Sequence, residues 1–280
     1  MTSPQWDSAF YKNSKLFSPL IPVFSQLKVD AYAWPSLENY NQLNSTNPII
    51  NANEKPIKFV SQLNTSNTFA EQYEPMIFLN GEVQTRLESW HDFFQVLVWK
   101  TFPHLKSTIN ALHYSSANSR YKNDSSNKSR SALENFLTLF DECGAIIVYS
   151  DEIIPTLLNE FNWKELFITH RQDFSEKVEC IVFGHAMYEK AIQPYIGMTS
   201  HCLLVKQPES FFELSTEYKN KILDEILSKK LSSEKNWTTK SLQPLPILGV
   251  PEWHEENSNP NFYNNENYFR KKSNRQRTRL

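Results

Sequence analysis

Apolar positions along the chain change period several times, and each change predicts an element. From residue 1 to about 68, Asn, Ser, Thr and Pro interrupt short apolar pieces such as FSPLIPVF. That pattern predicts irregular structure laid over a body rather than a unit with its own core. In EPMIFLNGEVQTR, Asn80-Gly81 separates two short apolar runs and predicts a tight β-hairpin, because this dipeptide accepts positive φ at both turn centres. Such a hairpin delivers Arg86 toward the next element. SWHDFFQVLVWK is apolar nearly all round, which marks a buried helix, and Ser89-x-x-Asp92 predicts a capping box at its start. Pro103 opens a second helix with Leu105, Ile109, Leu112 and Ser116 on one face and His113 beside that stripe.

The stretch 115–131 has almost no apolar residue and predicts a long solvated loop. FLTLFDECGAIIVYS predicts two strands joined at Glu142-Cys143-Gly144. Helical patterns follow over 153–170 and 174–193, then a strand in MTSHCLLVKQ and a charged amphipathic helix over 208–231. LQPLPILGVPEW holds three prolines and predicts an extended segment wrapped on the body. Helices and strands fall in blocks without regular βα alternation, so the expected class is α+β: a mostly helical single domain with short β-hairpins or a small antiparallel sheet and an extended Pro-rich C-terminal segment. The expected organisation is an irregular segment over 1–69, a globular α+β domain over 70–268 and a basic flexible tail over 269–280.

Composition narrows the function classes. At 280 residues, with 40% hydrophobic and 14% aromatic content, the chain buries a substantial core. The net charge of -2 conceals an asymmetry, because six of the 29 basic residues lie beyond position 269, leaving the remainder at 23 minus 31, or -8. An acidic body argues against a broad nucleic-acid face, while the tail retains the means to contact an anionic partner. The N-terminus lacks the apolar core of a secretory signal and no apolar run approaches the roughly 20 residues of a membrane span, so a cytoplasmic, membrane-free protein is expected. Three cysteines without CxxC spacing fit neither a zinc finger nor a disulfide scaffold. A Gly-rich phosphate loop, a GxSxG elbow and HExxH are all missing, and no nucleotide cofactor is expected.

Candidate chemistry lies where polar residues interrupt apolar patterns. In VECIVFGHAMYEKAI, read as one helix, His185 and Glu189 share the stripe of Val178, Ile181, Val182 and Ile192. An imidazole and a carboxylate one turn apart form half of a divalent-metal site, or else a hydrogen-bonded pair within the core. His91, Asp141 and His201 stand at the ends of predicted elements as further metal ligands, with Asp92, Glu142 and Arg86 as catalytic candidates. Asp92 has an alternative use as helix cap, and Asp141-Glu142 as a polar turn.

These segments resemble, in order, a bacterial, chiefly proteobacterial, family of uncharacterised proteins known as domain of unknown function 3025. The resemblance rests on GEVQTR, WHDFFQVLVWKTFPHLKSTINALH, LTLFDECGAIIV, FGHAMYEK, GMTSH, PLPILGVPEW and FYNNENYFR. It implies family-like roles for Arg86, His91, Asp92, Asp141, Glu142, His185, Glu189 and His201. Gln84 and Gln95 depart from it, standing where the family usually has Pro and Asn. Two hypotheses follow. One is a metal-assisted hydrolase or lyase in which His185, Glu189 and one or two of His91, Asp141 and His201 hold a divalent ion, Glu142 takes a proton and Arg86 clamps a small anionic substrate. The other is a non-enzymatic binding or scaffold protein whose His-Glu and His-Asp pairs are internal polar networks.

Overall fold

The computed structural model describes residues 4–62, 68–124 and 129–272. Its regular elements are α1 (Ile21–Phe24), α2 (Leu37–Ser45), β1 (Lys58–Ser61), α3 (Tyr73–Asn80), β2 (Glu82–Thr85), α4 (Trp90–Thr101), α5 (Pro103–Asn123), α6 (Ala132–Cys143) and β3 (Gly144–Tyr149). They continue with α7 (Ile153–Glu160), α8 (Arg171–Lys177), β4 (Val178–Val182), α9 (His185–Ala191), β5 (Thr199–Lys206), α10 (Thr216–Ser233) and β6 (Gln243–Pro246). The class is α+β, as the blocks of helix and strand imply. No helix among the described residues is long and apolar enough to cross a membrane.

The main sheet has the order β4-β3-β5-β6. β3 pairs antiparallel with β4 through Ala145 opposite Val182, and parallel with β5 through Gly144 opposite His201. β6 adds to β5 antiparallel, with Thr199 opposite Pro246. The central strand β3 is buried along nearly its whole length, which explains its unbroken apolar run. A second, two-stranded parallel sheet joins β1 to β2. The main sheet is therefore mixed, and among the described residues none of its strand pairs is a short hairpin of the kind expected from the turn signals.

Five local expectations change. Asn80-Gly81 closes a helix: Gly81 takes the left-handed conformation (φ 77°) as the C-cap of α3, a use of the same positive φ that a hairpin turn needs. Residues 132–143 are helical because Ser131 and Glu134 form a reciprocal capping box and Phe136, Leu137 and Phe140 share one buried face. Asp141 and Glu142 thus sit in a last helical turn instead of a hairpin tip. The pattern over 174–193 divides into α8, β4 and α9, so Val178 and Ile181 belong to a strand that ends before His185. Finally, α5 continues through most of the polar stretch to Asn123, held by Tyr114 stacked on Phe78 (4.2 Å), Tyr121 on Phe69 (4.7 Å) and Arg120 paired with Glu134 (2.8 Å). The helix expected over 153–170 also breaks, at Phe161, which adopts φ 58° after α7.

The N-terminal segment supplies the aromatic layer that makes α4 apolar on every side. Phe10, Phe17 and Phe24 are buried against Trp90, Phe93 and Phe94 of α4, and Phe94 and Phe17 both stack on Tyr188 of α9. Each such ring contributes roughly 1.5–3 kcal/mol by leaving water. Because Tyr188 lies one turn from His185, this layer fixes α4 and α9 together and sets the relation between His91 and His185. The Pro-rich segment pairs as β6 and then coils into short turns, with Tyr263, Tyr268 and Phe269 buried. Of the expected tail, residues 273–280 lie outside the described residues.

Candidate metal centre and its cleft

Three helix ends converge on one point. His91 lies in the first turn of α4, Glu142 in the last turn of α6, and His185 opens α9. The approach of α9 to α6 depends on Gly184, where a Cβ would stand 2.4 Å from the carbonyl oxygen of Glu142. The Nε2 atoms of His91 and His185 are 3.0 Å apart, and a carboxylate oxygen of Glu142 is 3.7 Å from His185 Nε2. One ligand atom from each of the three residues falls within 4.8 Å of the others, an arrangement able to hold a metal ion.

Behind each imidazole stands a carboxylate. His91 Nδ1 meets Glu189 Oε2 at 2.9 Å, and His185 Nδ1 lies 3.7 Å from Asp141 Oδ2. Asp141 is itself held by the buried Lys106 ammonium at 2.5 Å. These neighbours set the electrostatics. The hydrogen bond to Glu189 raises the His91 pKa against the effect of burial. Burial drives His185 down to about 3. It also acts upward on Asp141, but Lys106 and His185 outweigh it and hold that carboxyl below its usual value, whereas burial raises Glu142.

The two imidazoles pose a proton-placement problem. If His91 donates from Nδ1 to Glu189 and is neutral, its Nε2 is an acceptor. His185 must then donate from Nε2, which turns the bare lone pair of its Nδ1 toward the Asp141 carboxylate. One positive charge between the Nε2 atoms, whether a proton on His91 or a metal ion, lets both Nδ1-H groups face carboxylates.

The three ends border a cleft of about 340 Å³ that continues between α3, α4, α5 and α6. At its edge Arg86 donates from its backbone N (2.6 Å), Nε (2.9 Å) and guanidinium (3.1 Å) to Asp92, and this partner raises the Arg86 pKa. Asp92 is thereby occupied: Ser89 accepts from the Asp92 backbone, but Asp92 turns to Arg86 instead of completing the expected capping box. Arg130 also lines the cleft, as do Gln84 and Gln95, the two departures from the family pattern.

Of the candidates read from sequence, the structure brings His91, His185 and Glu142 together, with Glu189 and Asp141 as their supports and Arg86 with Asp92 at the edge. His201 is apart: it sits half-buried on β5 opposite Gly144 and does not line the cleft. Its neighbour in the sheet register, not the cleft, fixes its place. Sequence reasoning gave no role to Lys106, Glu74 or His113, although it placed His113 beside the apolar stripe of α5. Lys106 and His113 flank Ile109 on one face of α5, so a polar residue on an apolar stripe was the available signal for both. Glu74 gave none while its segment read as a strand.

No curated protein and no solved structure matches the chain. A family model does, over residues 57–273, from β1 through every element that builds the cleft. With more than half of its length matched, the chain belongs to the family described as protein of unknown function (DUF3025).

Proposed function

We propose that His91, His185 and Glu142 hold a divalent metal ion that activates water for hydrolysis, or a related lyase step, on a small anionic substrate. The observation that carries this reading is the pair of Nε2 atoms 3.0 Å apart with a carboxylate behind each ring. Two nitrogens bound tetrahedrally to zinc at about 2.05 Å stand about 3.3 Å apart, close to the spacing found. Carboxylates on the remote imidazole nitrogens are the usual support of metal-bound histidines, fixing the tautomer and the ring. Glu189, expected as a ligand, serves this reading better as the support of His91, and Glu142, expected as a base, as the third ligand.

A bound divalent ion lowers the pKa of its water from near 16 to about 7. The protein's part is positional. Glu142 brings a second carboxylate oxygen beside the point where that water would lose its proton. The fork of Arg86, braced by Asp92 and with its side chain 56% exposed, faces the cleft edge where an anionic group enters.

A second reading rests on the closed pairs: Arg86 with Asp92, Lys106 with Asp141 and His91 with Glu189 are satisfied internally. In it a proton occupies the place between the imidazoles and the protein is a non-enzymatic binding module. Elemental analysis of untagged protein purified without chelator separates the two. Metal near one equivalent in wild type, lost in folded His185→Ala and Glu142→Gln, supports the metal centre. Wild type that takes up no zinc, manganese or iron on reconstitution overturns it.

A further inference from the structure

Beyond the metal-binding layer the cleft has a second, inner layer built on the same helices. Gln95 lies one turn after His91 on α4, and Thr138 one turn before Glu142 on α6. One turn of four residues sets the inner layer about 6 Å from the metal-binding point. His113 approaches Thr138 at 3.2 Å, and Gln95 donates to the Tyr73 hydroxyl at 2.5 Å. Asn110 donates to the Glu74 carbonyl (2.9 Å) and to Glu74 Oε2 (2.7 Å), so it aims that carboxyl. Tyr73, Glu74, Gln95, His113 and Thr138 all line the cleft.

This layer contains an acceptor and an unsatisfied neighbour. His113 is only 9% exposed, yet its Nδ1 has no hydrogen-bond partner among the described residues. Such an orphan is costly and asks for a group that completes it. Among the described residues Glu74 forms no ion pair: Lys106 pairs with Asp141, and Lys106 and His113 act on Glu74 only at longer range. Burial accordingly raises the Glu74 pKa.

Resting on the metal-centre reading above, we infer that Glu74 and His113 bind a primary ammonium group of the substrate, about one helical turn from the point of reaction. An ammonium supplies three donors. One goes to the Glu74 carboxylate and another to the free His113 Nδ1 lone pair, the tautomer in which His113 Nε2-H donates to the Thr138 hydroxyl. The substrate class is then a short molecule with an ammonium at one end and an anionic or hydrolysable group at the other, the latter reaching the metal point or Arg86. A second carboxylate in place of the ammonium meets Glu74 and is rejected, while an apolar end leaves both acceptors unpaired.

The test is calorimetric titration of the full-length protein, with and without one equivalent of zinc, against three probes of matched length. These are γ-aminobutyrate with an ammonium end, glutarate with a carboxylate end, and valerate with an apolar end. We expect γ-aminobutyrate to bind at least tenfold more tightly than the other two. In Glu74→Gln that preference should fall below threefold while zinc content is unchanged. His113→Asn provides a milder variant should Glu74→Gln not fold, with the same loss of preference expected. Glutarate or valerate binding as tightly as γ-aminobutyrate overturns the inference, as does no binding of any probe or a preference that survives both variants. A preference for γ-aminobutyrate in protein that takes up no zinc supports the ammonium site and removes the metal reading alone.

Discussion

Gly184→Ala tests whether the close approach of α9 to α6 builds the centre. Gly184 has φ -65° and ψ 116°, a conformation open to alanine. Were the surroundings empty, alanine would stabilise the fold by about 0.4–1 kcal/mol through the unfolded chain. They are filled. The added Cβ meets the Glu142 carbonyl oxygen at 2.4 Å, its carbon at 2.5 Å and the Cys143 nitrogen at 2.6 Å, all backbone atoms. Reaching an ordinary contact of 3.4 Å requires a separation of about 1 Å between the start of α9 and the end of α6. Overpacking of this kind costs about 1–3 kcal/mol, so the melting temperature of metal-free protein falls by several degrees. The displaced residues flank the site, since Glu142 lies in the clash and His185 follows Gly184. A loss of about 10–100-fold in zinc affinity follows, comparable to removal of a supporting carboxylate. Differential scanning calorimetry and chelator competition read the two effects. A melting temperature that rises, with zinc affinity unchanged, refutes the reasoning.

Phe94→Ala should cost about 3–5 kcal/mol, because this ring is fully buried and joins the N-terminal segment to Tyr188, and urea denaturation measures it. Lys106→Met leaves Asp141 charged and unpaired and should cost about 3–5 kcal/mol, while Lys106→Met with Asp141→Asn recovers much of that; an additive double-mutant cycle contradicts the pairing. Glu134 accepts from Arg120 and from the Ser131 backbone, and although burial opposes them these partners hold its pKa below 4.5. A depressed carboxylate contributes stability above its unfolded pKa and loses it as pH falls through the folded value. Glu134→Gln should therefore lower the melting temperature at neutral pH by an amount equivalent to about 1–2 kcal/mol, and the difference should shrink below pH 4.5. A difference that stays constant between neutral pH and pH 3 goes against that role.

How far the sequence determines this picture is clearest at particular residues. The α4 segment was legible because its apolar girth admits one environment, a helix enclosed on all sides. His185 and Glu189 were legible as neighbours because both lie beyond Gly184, within one helix, whatever precedes them. The stripe that linked them to Val178 and Ile181 was not real: VECIV is a five-residue run, apolar except at Glu179, that satisfies strand and helix periods alike, and pairing with β3 decides between them. The capping box Ser131-x-x-Glu134 stands in the sequence but was not read, and the β-branched run that follows placed Asp141 and Glu142 on the wrong kind of element. Long-range geometry stayed hidden. Sequence separates His91 from His185 by 94 positions, and the aromatic packing of α4 against α9, with the His91–Glu189 hydrogen bond, brings their rings 4.5 Å apart. His201 shows the converse, since proximity to other polar motifs along the chain did not bring it to the cleft.

The central claim is that one divalent ion occupies the space between the two Nε2 atoms and Glu142. Its most direct test is an anomalous difference map from crystals of the zinc-loaded protein, recorded on both sides of the zinc edge. The account predicts a single strong peak about 2.0–2.2 Å from His91 Nε2, His185 Nε2 and a Glu142 oxygen, with Glu189 retained on His91 Nδ1. A peak elsewhere in the protein, or none between the two imidazoles at full zinc loading, contradicts it.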